Sequence, residues 1–164
     1  MAKNRGDGPV TISVLDRLIH DPNELESAFE TRLGSLRKLK EAVRRDLEWL
    51  LNTRQPVIGA PEGSEAQNSL FMYGLPDITS MSVKSTRERK RLTEAIQTAV
   101  AKFEPRMANV RVNLVTVGED RVPNLRFVIE GLLRVDPSPE QVSFDTVLEL
   151  SSGEYKVQGE TSAR

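Results

Sequence analysis

The sequence of 164 residues contains no cysteine and a single histidine, His20. The missing thiols exclude a disulfide scaffold, a cysteine nucleophile and a thiolate metal site. His20 is the only histidine available to a catalytic triad or a metal centre, and it precedes Asp21-Pro22, a dipeptide typical of a turn. We therefore expect His20 to face solvent and the chain to need neither a metal nor a cofactor.

Long apolar runs are missing too. A helix that crosses a bilayer needs about 20 consecutive apolar residues, whereas the apolar runs here are only a few residues long. The segment Met1 to Pro9 is polar and lacks the apolar stretch of a secretory signal. These features predict a cytoplasmic protein without a membrane segment.

Neither sign of charge is in excess, since the formal net charge is -1. Proteins that grip nucleic acid usually carry a clear basic excess. One local basic cluster exists, and it has no interleaved aromatic residues for base stacking. It comprises Lys84, Arg87, Arg89, Lys90 and Arg91. We expect a solvated helix face there, with contact to an acidic partner surface as the alternative, and no nucleic-acid ligand.

The sequence predicts two amphipathic helices. The first runs from about Ser35 to Leu51, with apolar residues at helical spacing. The second begins at the capping box Ser85-Thr86-Arg87-Glu88. It must end near Glu104, because Pro105 disfavours helical geometry in the residue before it. Trp49, the only tryptophan, is expected to pack in the core, with a partner pocket as the alternative.

After Pro105 the apolar period changes to alternation, which predicts strands. Alternating segments cover 110–117, 125–130 and 142–150, and 155–157 is a candidate for a short fourth strand. Helices followed by neighbouring antiparallel strands predict an α+β fold, in which two main helices pack on a small antiparallel sheet of three to four strands. Because the 142–150 segment contains no lysine or proline, we expect its edge to be available to an incoming strand. The sequence does not show which strand is outermost, and the 110–117 strand is the alternative.

The sequence also predicts how the chain is organised. Residues 1–30 form an N-terminal arm, partly disordered, residues 31–158 a single domain, and residues 159–164 a flexible tail. Most of 56–82 is a loop punctuated by proline and glycine. Within it, Leu70 to Asp77 is so apolar that it must pack on the domain core or on a partner.

Four stretches carry a family resemblance in their order and spacing: residues 13–18, Arg44 to Arg54, Tyr73-Gly74-Leu75-Pro76-Asp77 and Phe103-Glu104-Pro105-Arg106-Met107. Together they resemble the TssE family of type VI secretion baseplate subunits, which belongs with the contractile-phage baseplate wedge proteins. The resemblance extends over about residues 13 to 150. Its largest departure is Met107, where leucine is common.

The resemblance implies a structural component, present in multiple copies, that links baseplate wedge proteins to the first ring of a contractile sheath. It also implies that sheath strands can add to the sheet. Glu104, Pro105 and Arg106 correspond to the family's partner-contact signature. We add the loop residues Tyr73, Pro76 and Asp77 to the predicted partner-binding set. The alternative for Arg106 is that it only offsets the negative end of the preceding helix, worth under about 1 kcal/mol.

Members of this family have been labelled lysozyme-like, so peptidoglycan cleavage is the alternative function. Glycoside hydrolysis needs two carboxylates across a cleft. No glutamate here has an aspartate nine positions later, the spacing familiar from phage muramidases. Arg106 beside Glu104 favours an ionised carboxylate, the opposite of what a general acid needs. The sequence also lacks a glycine-rich phosphate loop, and we expect no enzymatic activity.

Overall fold

The computed structural model describes Leu18 and residues 32–77, 85–115 and 124–160. The rest of the predicted N-terminal arm, Lys84 and residues 161–164 lie outside the described residues. In chain order the elements are α1 (Arg32–Asn52), two short 3-10 helices (Glu65–Asn68 and Leu70–Met72), α2 (Thr86–Phe103), β1 (Met107–Val115), β2 (Asn124–Leu133), β3 (Glu140–Glu149) and β4 (Glu154–Glu160). The predicted α+β fold with two main helices is confirmed.

Both ends of α2 lie where its terminal residues require. The Ser85 hydroxyl accepts a hydrogen bond from the Glu88 amide at 3.4 Å, which satisfies one of the free N–H groups of the first turn. At the other end the Glu104 backbone amide still donates to the Val100 carbonyl at 2.9 Å. Pro105 then stops the helix, since it has no N–H to donate.

The four strands form one antiparallel sheet in the order β1-β2-β3-β4. The prediction that segment 142–150 offers an open edge is wrong, because β3 pairs with β2 on one side and with β4 on the other. Val147, for example, lies between Arg126 and Lys156. The cause is β4, which is longer than the predicted 155–157 strand and covers that side of β3. Among the described strands, the edges are β1 and β4.

One face of the sheet packs against both helices. Along β2 every second residue is buried, and α2 lies against β1 while α1 lies against β4. Gly131 on β2 lies opposite a bulge on β1, where the register shifts between Ala108 and Arg111. A Cβ at Gly131 would lie 2.9 Å from the Met107 methyl carbon. This glycine therefore lets the bulged strand approach closely.

Trp49 does not pack in the core, contrary to the first expectation. It is 53% exposed, and the Arg45 guanidinium lies 5.2 Å from the centre of its ring. The reason is helical phase, because Arg45 and Trp49 are four residues apart on one face of α1, outside the buried stripe. That stripe contains Leu39, Val43, Leu47 and Leu50.

Candidate partner-contact site

Arg106 occupies the turn that joins α2 to β1. The turn is fixed by the backbone on both sides: the Met107 amide donates to the Glu104 carbonyl at 3.1 Å, and the Arg134 amide donates to the Arg106 carbonyl at 2.8 Å. Pro105, which is exposed, restricts the backbone between them. The side chain of Arg106 therefore leaves the turn in a fixed direction.

The Arg106 guanidinium binds two carboxylates of the same chain. Its Nε donates to Glu104 Oε1 at 2.6 Å and its Nη2 to Glu104 Oε2 at 2.5 Å, which is the two-point geometry that favours arginine over lysine. Nη2 also donates to Asp46 Oδ2 on α1 at 2.5 Å. Arg45 Nε adds a further bond to Asp46 Oδ1 at 3.3 Å. This Arg106 cluster (Arg45, Asp46, Glu104 and Arg106) ties α1 to the α2–β1 turn.

The members of the Arg106 cluster differ in their exposure. The Glu104 side chain is only 4% exposed, whereas Arg106 is 26% and Asp46 24% exposed. A buried carboxylate without a cationic partner costs several kcal/mol. Burial by itself would lower the pKa of Arg106, but its hydrogen bonds and charge contacts with Glu104 and Asp46 raise that pKa. The guanidinium thus stays charged beside the buried Glu104 carboxylate.

The structure gives Arg106 an internal role. The sequence predicted contact with a partner, or a weak offset of the helix end, and placed Arg106 beside Glu104. In the structure its guanidinium forms ion pairs with both Glu104 and Asp46. Glu104 points inward and its carboxylate is occupied by Arg106. The outer side of Arg106 and the neighbouring Pro105 remain at the surface.

The predicted loop residue Tyr73 lies beside the Arg106 cluster. Its ring meets that of Phe103, the last residue of α2, edge to face at a centroid distance of 5.3 Å. Burial, and secondarily the negative charges of Asp46 and Glu104, raise the pKa of Tyr73. The structure therefore places Tyr73 close to Glu104 and Arg106, two other members of the predicted partner-binding set.

The loop after Tyr73 is held against the end of α1. The Leu75 amide donates to the Thr53 carbonyl, and the Gln55 amide to the Leu75 carbonyl, both at 2.9 Å. Gly74 has a φ of 112°, and a Cβ there would lie 2.5 Å from the Thr53 carbonyl oxygen. Only glycine fits this close approach. Pro76 and Asp77 follow the fully buried Leu75 and are exposed.

The rest of the apolar loop is only partly covered. Leu75 packs in the core, as predicted for this cluster, but Leu70 is 82% and Phe71 55% exposed. Lys102 on α2 anchors the preceding 3-10 helix by donating to the Gln67 carbonyl. The loop thus offers an apolar surface near the end of α2, of the kind that often marks a protein contact.

Asp46 is the member of the cluster that sequence reasoning missed. It lies 60 residues before Arg106, and no local pattern connects the two positions. The only signal was indirect, because Asp46 falls within the Arg44 to Arg54 stretch that carries the resemblance. Contacts between side chains on different elements depend on the fold, so they cannot be predicted from a local sequence pattern.

The basic cluster at the start of α2 fits a solvated face. Arg87, Lys90 and Arg91 are exposed, and Lys90 lies 3.8 Å from Glu94 one turn later. Such exposed pairs contribute little to stability. The described part of the chain also holds no group of acidic or histidine side chains suited to a metal ion, and none of its helices is long and apolar enough to cross a membrane.

The fold and the Arg106 cluster define a small α+β domain whose charged groups connect structural elements and whose loops leave apolar side chains at the surface. Residues 37–138 match the family model of the baseplate wedge protein gp25, which is more than half of the chain, and the chain belongs to this family. A search of curated proteins finds no match. The family indicates a structural protein of the phage baseplate type that interacts with other baseplate components.

Proposed function

We propose that this protein is a structural subunit of a type VI secretion baseplate, and that it links the baseplate wedge proteins to the first ring of the contractile sheath. The family match over residues 37–138 carries the proposal, and the four stretches described above favour the type VI branch. In this role the protein acts in the cytoplasm in multiple copies per baseplate, without catalysis or a cofactor.

The wedge proteins contact the surface around the Arg106 cluster. Pro105 and the outer side of Arg106 lie there beside Tyr73, and the exposed Pro76 and Asp77 end the same loop. Glu104 takes part from inside, because it fixes the direction and the charge of Arg106. A guanidinium held in this way presents its remaining N–H donors without a further loss of side-chain entropy.

The sheath contacts the domain through an open edge of the sheet. An open strand edge carries main-chain N–H and C=O groups that an incoming strand can pair with. In this organisation residues 1–30 are an arm outside the domain. Strand β4 extends to Glu160, two residues into the segment 159–164 that the sequence predicts as a tail.

Affinity capture from cells that contain the whole apparatus tests the proposed function. The tagged chain is purified at native expression level, and the bound proteins are identified by mass spectrometry. Wedge and sheath proteins are expected together. Recovery of neither, from cells whose apparatus is shown to be assembled, would refute the linking role.

Two variants separate partner contact from internal stability. Asp46→Asn weakens the Asp46–Arg106 pair but keeps the guanidinium, whereas Arg106→Ala removes it. At a temperature where both variants are folded, we expect wedge proteins to co-purify with Asp46→Asn and not with Arg106→Ala. Equal recovery with both would show that Arg106 acts only inside the domain.

A further inference from the structure

A groove of about 430 Å³ lies between the first half of α1, the start of β3 and the end of β4. Its apolar lining comes from Leu33 and Leu36 on α1 and from Phe144 on β3. Phe144 belongs to the core and Leu36 packs against it, whereas Leu33 is 78% exposed. The groove therefore continues the core out to the surface, and it is suited to apolar side chains that would cover Leu33.

The rim of the groove carries basic side chains. Arg37, Lys40 and Arg44 line it along α1, together with the carboxylates of Glu41 and Glu140. Lys40 pairs with Glu140 at 3.4 Å and Arg44 with Glu41 at 3.5 Å. Arg37 is exposed and has no ion-pair partner among the described residues. An occupant that brings carboxylates would supply that partner.

The charges at the start of α1 also call for an acidic neighbour. Residues 33–40 contain three cations and no carboxylate, and the first turn of the helix has no acidic residue. The N-terminal end of a helix carries a partial positive charge, which favours carboxylates and opposes cations. The first half of α1 therefore lacks the negative charge that would stabilise it.

The sequence just before α1 contains that charge. Residues 24–31 read Glu-Leu-Glu-Ser-Ala-Phe-Glu-Thr, with three carboxylates and no lysine or arginine. Leu25 and Phe29 supply apolar groups in the same stretch. These residues lie outside the described ranges, at the end of the predicted N-terminal arm. Their composition matches both the apolar lining and the basic rim of the groove.

The segment is also long enough to reach the groove. From Leu33 to Arg44, α1 is about 16 Å long at a rise of about 1.5 Å per residue. Eight extended residues span up to about 27 Å, so residues 24–31 can turn back and run along α1 as far as Lys40. Because the segment is joined directly to α1, its effective concentration at the groove is on the order of millimolar. Weak contacts are therefore sufficient to hold it there.

We infer that the groove is filled by residues 24–31 of the same chain, which fold back along α1. Leu25 and Phe29 then cover the exposed Leu33, and the glutamates lie beside Arg37. The inference concerns the isolated protein and does not depend on wedge or sheath proteins. Its tests therefore succeed or fail independently of the proposed function.

Disulfide trapping tests the inference in the full chain, which has no cysteine of its own. Ser27→Cys combined with Glu41→Cys places one thiol on the segment and one on the rim of the groove. If α1 simply continued backwards as a straight helix, the two positions would lie about 21 Å apart. A disulfide requires a Cα separation of at most about 7 Å, so only a segment that folds back can form it.

The control pair is Ser27→Cys with Lys38→Cys. Lys38 is closer to Ser27 in sequence than Glu41 is, but it does not line the groove. We expect the Glu41 pair to form an intramolecular bridge at least about tenfold faster than the control pair, because docking raises the local thiol concentration. Equal rates would overturn the inference. Bridges between two chains would also overturn it, because the segment of a second copy would then occupy the groove.

Two further substitutions in the trapping pair separate charge from apolar contact. Arg37→Glu reverses a charge at the groove, and Arg91→Glu makes the same change at an exposed position of α2. Bridge formation should slow by about threefold in Arg37→Glu, as expected for loss of an exposed ion pair, and keep its rate in Arg91→Glu. Phe29→Ser should slow it as well. Unchanged rates in both Arg37→Glu and Phe29→Ser would overturn the inference.

Discussion

Arg106 and Asp46 are 60 residues apart in sequence, yet Arg106 Nη2 lies 2.5 Å from Asp46 Oδ2. This bond connects the middle of α1 to the turn after α2. Because the same guanidinium also neutralises the buried Glu104, it contributes to stability as well as to any surface that partners recognise.

The first prediction concerns the loss of this guanidinium. Arg106→Ala leaves the Glu104 carboxylate buried without its cation, so we expect the free energy of unfolding to fall by about 2 to 4 kcal/mol. The sequence alone predicted a helix-end effect under about 1 kcal/mol. Urea denaturation followed by circular dichroism measures the difference.

Arg87→Ala is the control for that measurement. Arg87 is also an arginine at one end of α2, but it is exposed, and its removal should change stability by less than about 0.5 kcal/mol. An Arg106→Ala variant as stable as Arg87→Ala would mean that the buried ion pair contributes nothing.

The second prediction concerns Tyr155, whose hydroxyl is buried and has no hydrogen-bond partner among the described residues. An unsatisfied buried polar group is costly, so Tyr155→Phe should leave stability unchanged or raise it by about 1 kcal/mol. Thr146 carries a second hydroxyl in the same situation, and Thr146→Val should behave alike. A loss above about 1 kcal/mol in either variant would contradict this account.

The buried phenol of Tyr155 should also make the stability of the protein depend on pH. Burial raises the pKa of its phenol, so the folded protein keeps this proton above about pH 10, where an unfolded tyrosine loses it. The unfolded state is then favoured, and stability should fall as the pH rises through about 10. Thermal melts at about pH 8 to 11 should show a shallower decline for Tyr155→Phe than for the parent protein.

The third prediction concerns the side chain that covers β4. Asn52→Ala removes the two bonds that this side chain makes with the amide and carbonyl of Tyr155, and we expect a loss of about 1 to 2 kcal/mol together with faster exchange of the Tyr155 amide. The exposed Asn68 provides the control, because Asn68→Ala should change neither. If the Tyr155 amide of the Asn52→Ala variant exchanged at the parent rate, Asn52 would not be protecting the β4 edge.

The fourth prediction is that the purified protein does not cleave peptidoglycan. The buried Glu104 carboxylate of the Arg106 cluster is bound at two points by the Arg106 guanidinium, so it is not placed to donate a proton to a glycosidic oxygen. A turbidity assay on isolated cell walls should show no clearing above a buffer control. Clearing that vanishes when a single Glu or Asp is neutralised would contradict the prediction.

Local signals predicted the elements well, because their causes are local. Ser85 and Pro105 fix the ends of α2 through one cap and one missing amide, and the alternation of β2 and β3 reflects burial of a single sheet face. The edge of the sheet could not be predicted in this way. It depends on whether β4 returns along β3, which is a property of the whole fold.

The site was predicted less completely than the fold for a related reason. The sequence pointed to Arg106 and Tyr73, but it gave no hint that Glu104 is turned inward or that Asp46 completes the cluster. Trp49 was misplaced because its large apolar ring outweighed its position off the buried stripe of α1. Hydrophobicity predicts burial on average, whereas helical phase decides it for one residue.

Asn52 has a consequence for the growth of assemblies. A protein with two free strand edges can pair head to tail with its own copies, and such contacts repeat without limit into fibres. Because Asn52 covers the β4 edge, each copy can accept another strand only at β1. Two copies that paired through β1 would therefore have no further edge to offer to a third copy. The amide of Asn52 thus opposes open-ended strand pairing between copies of this domain.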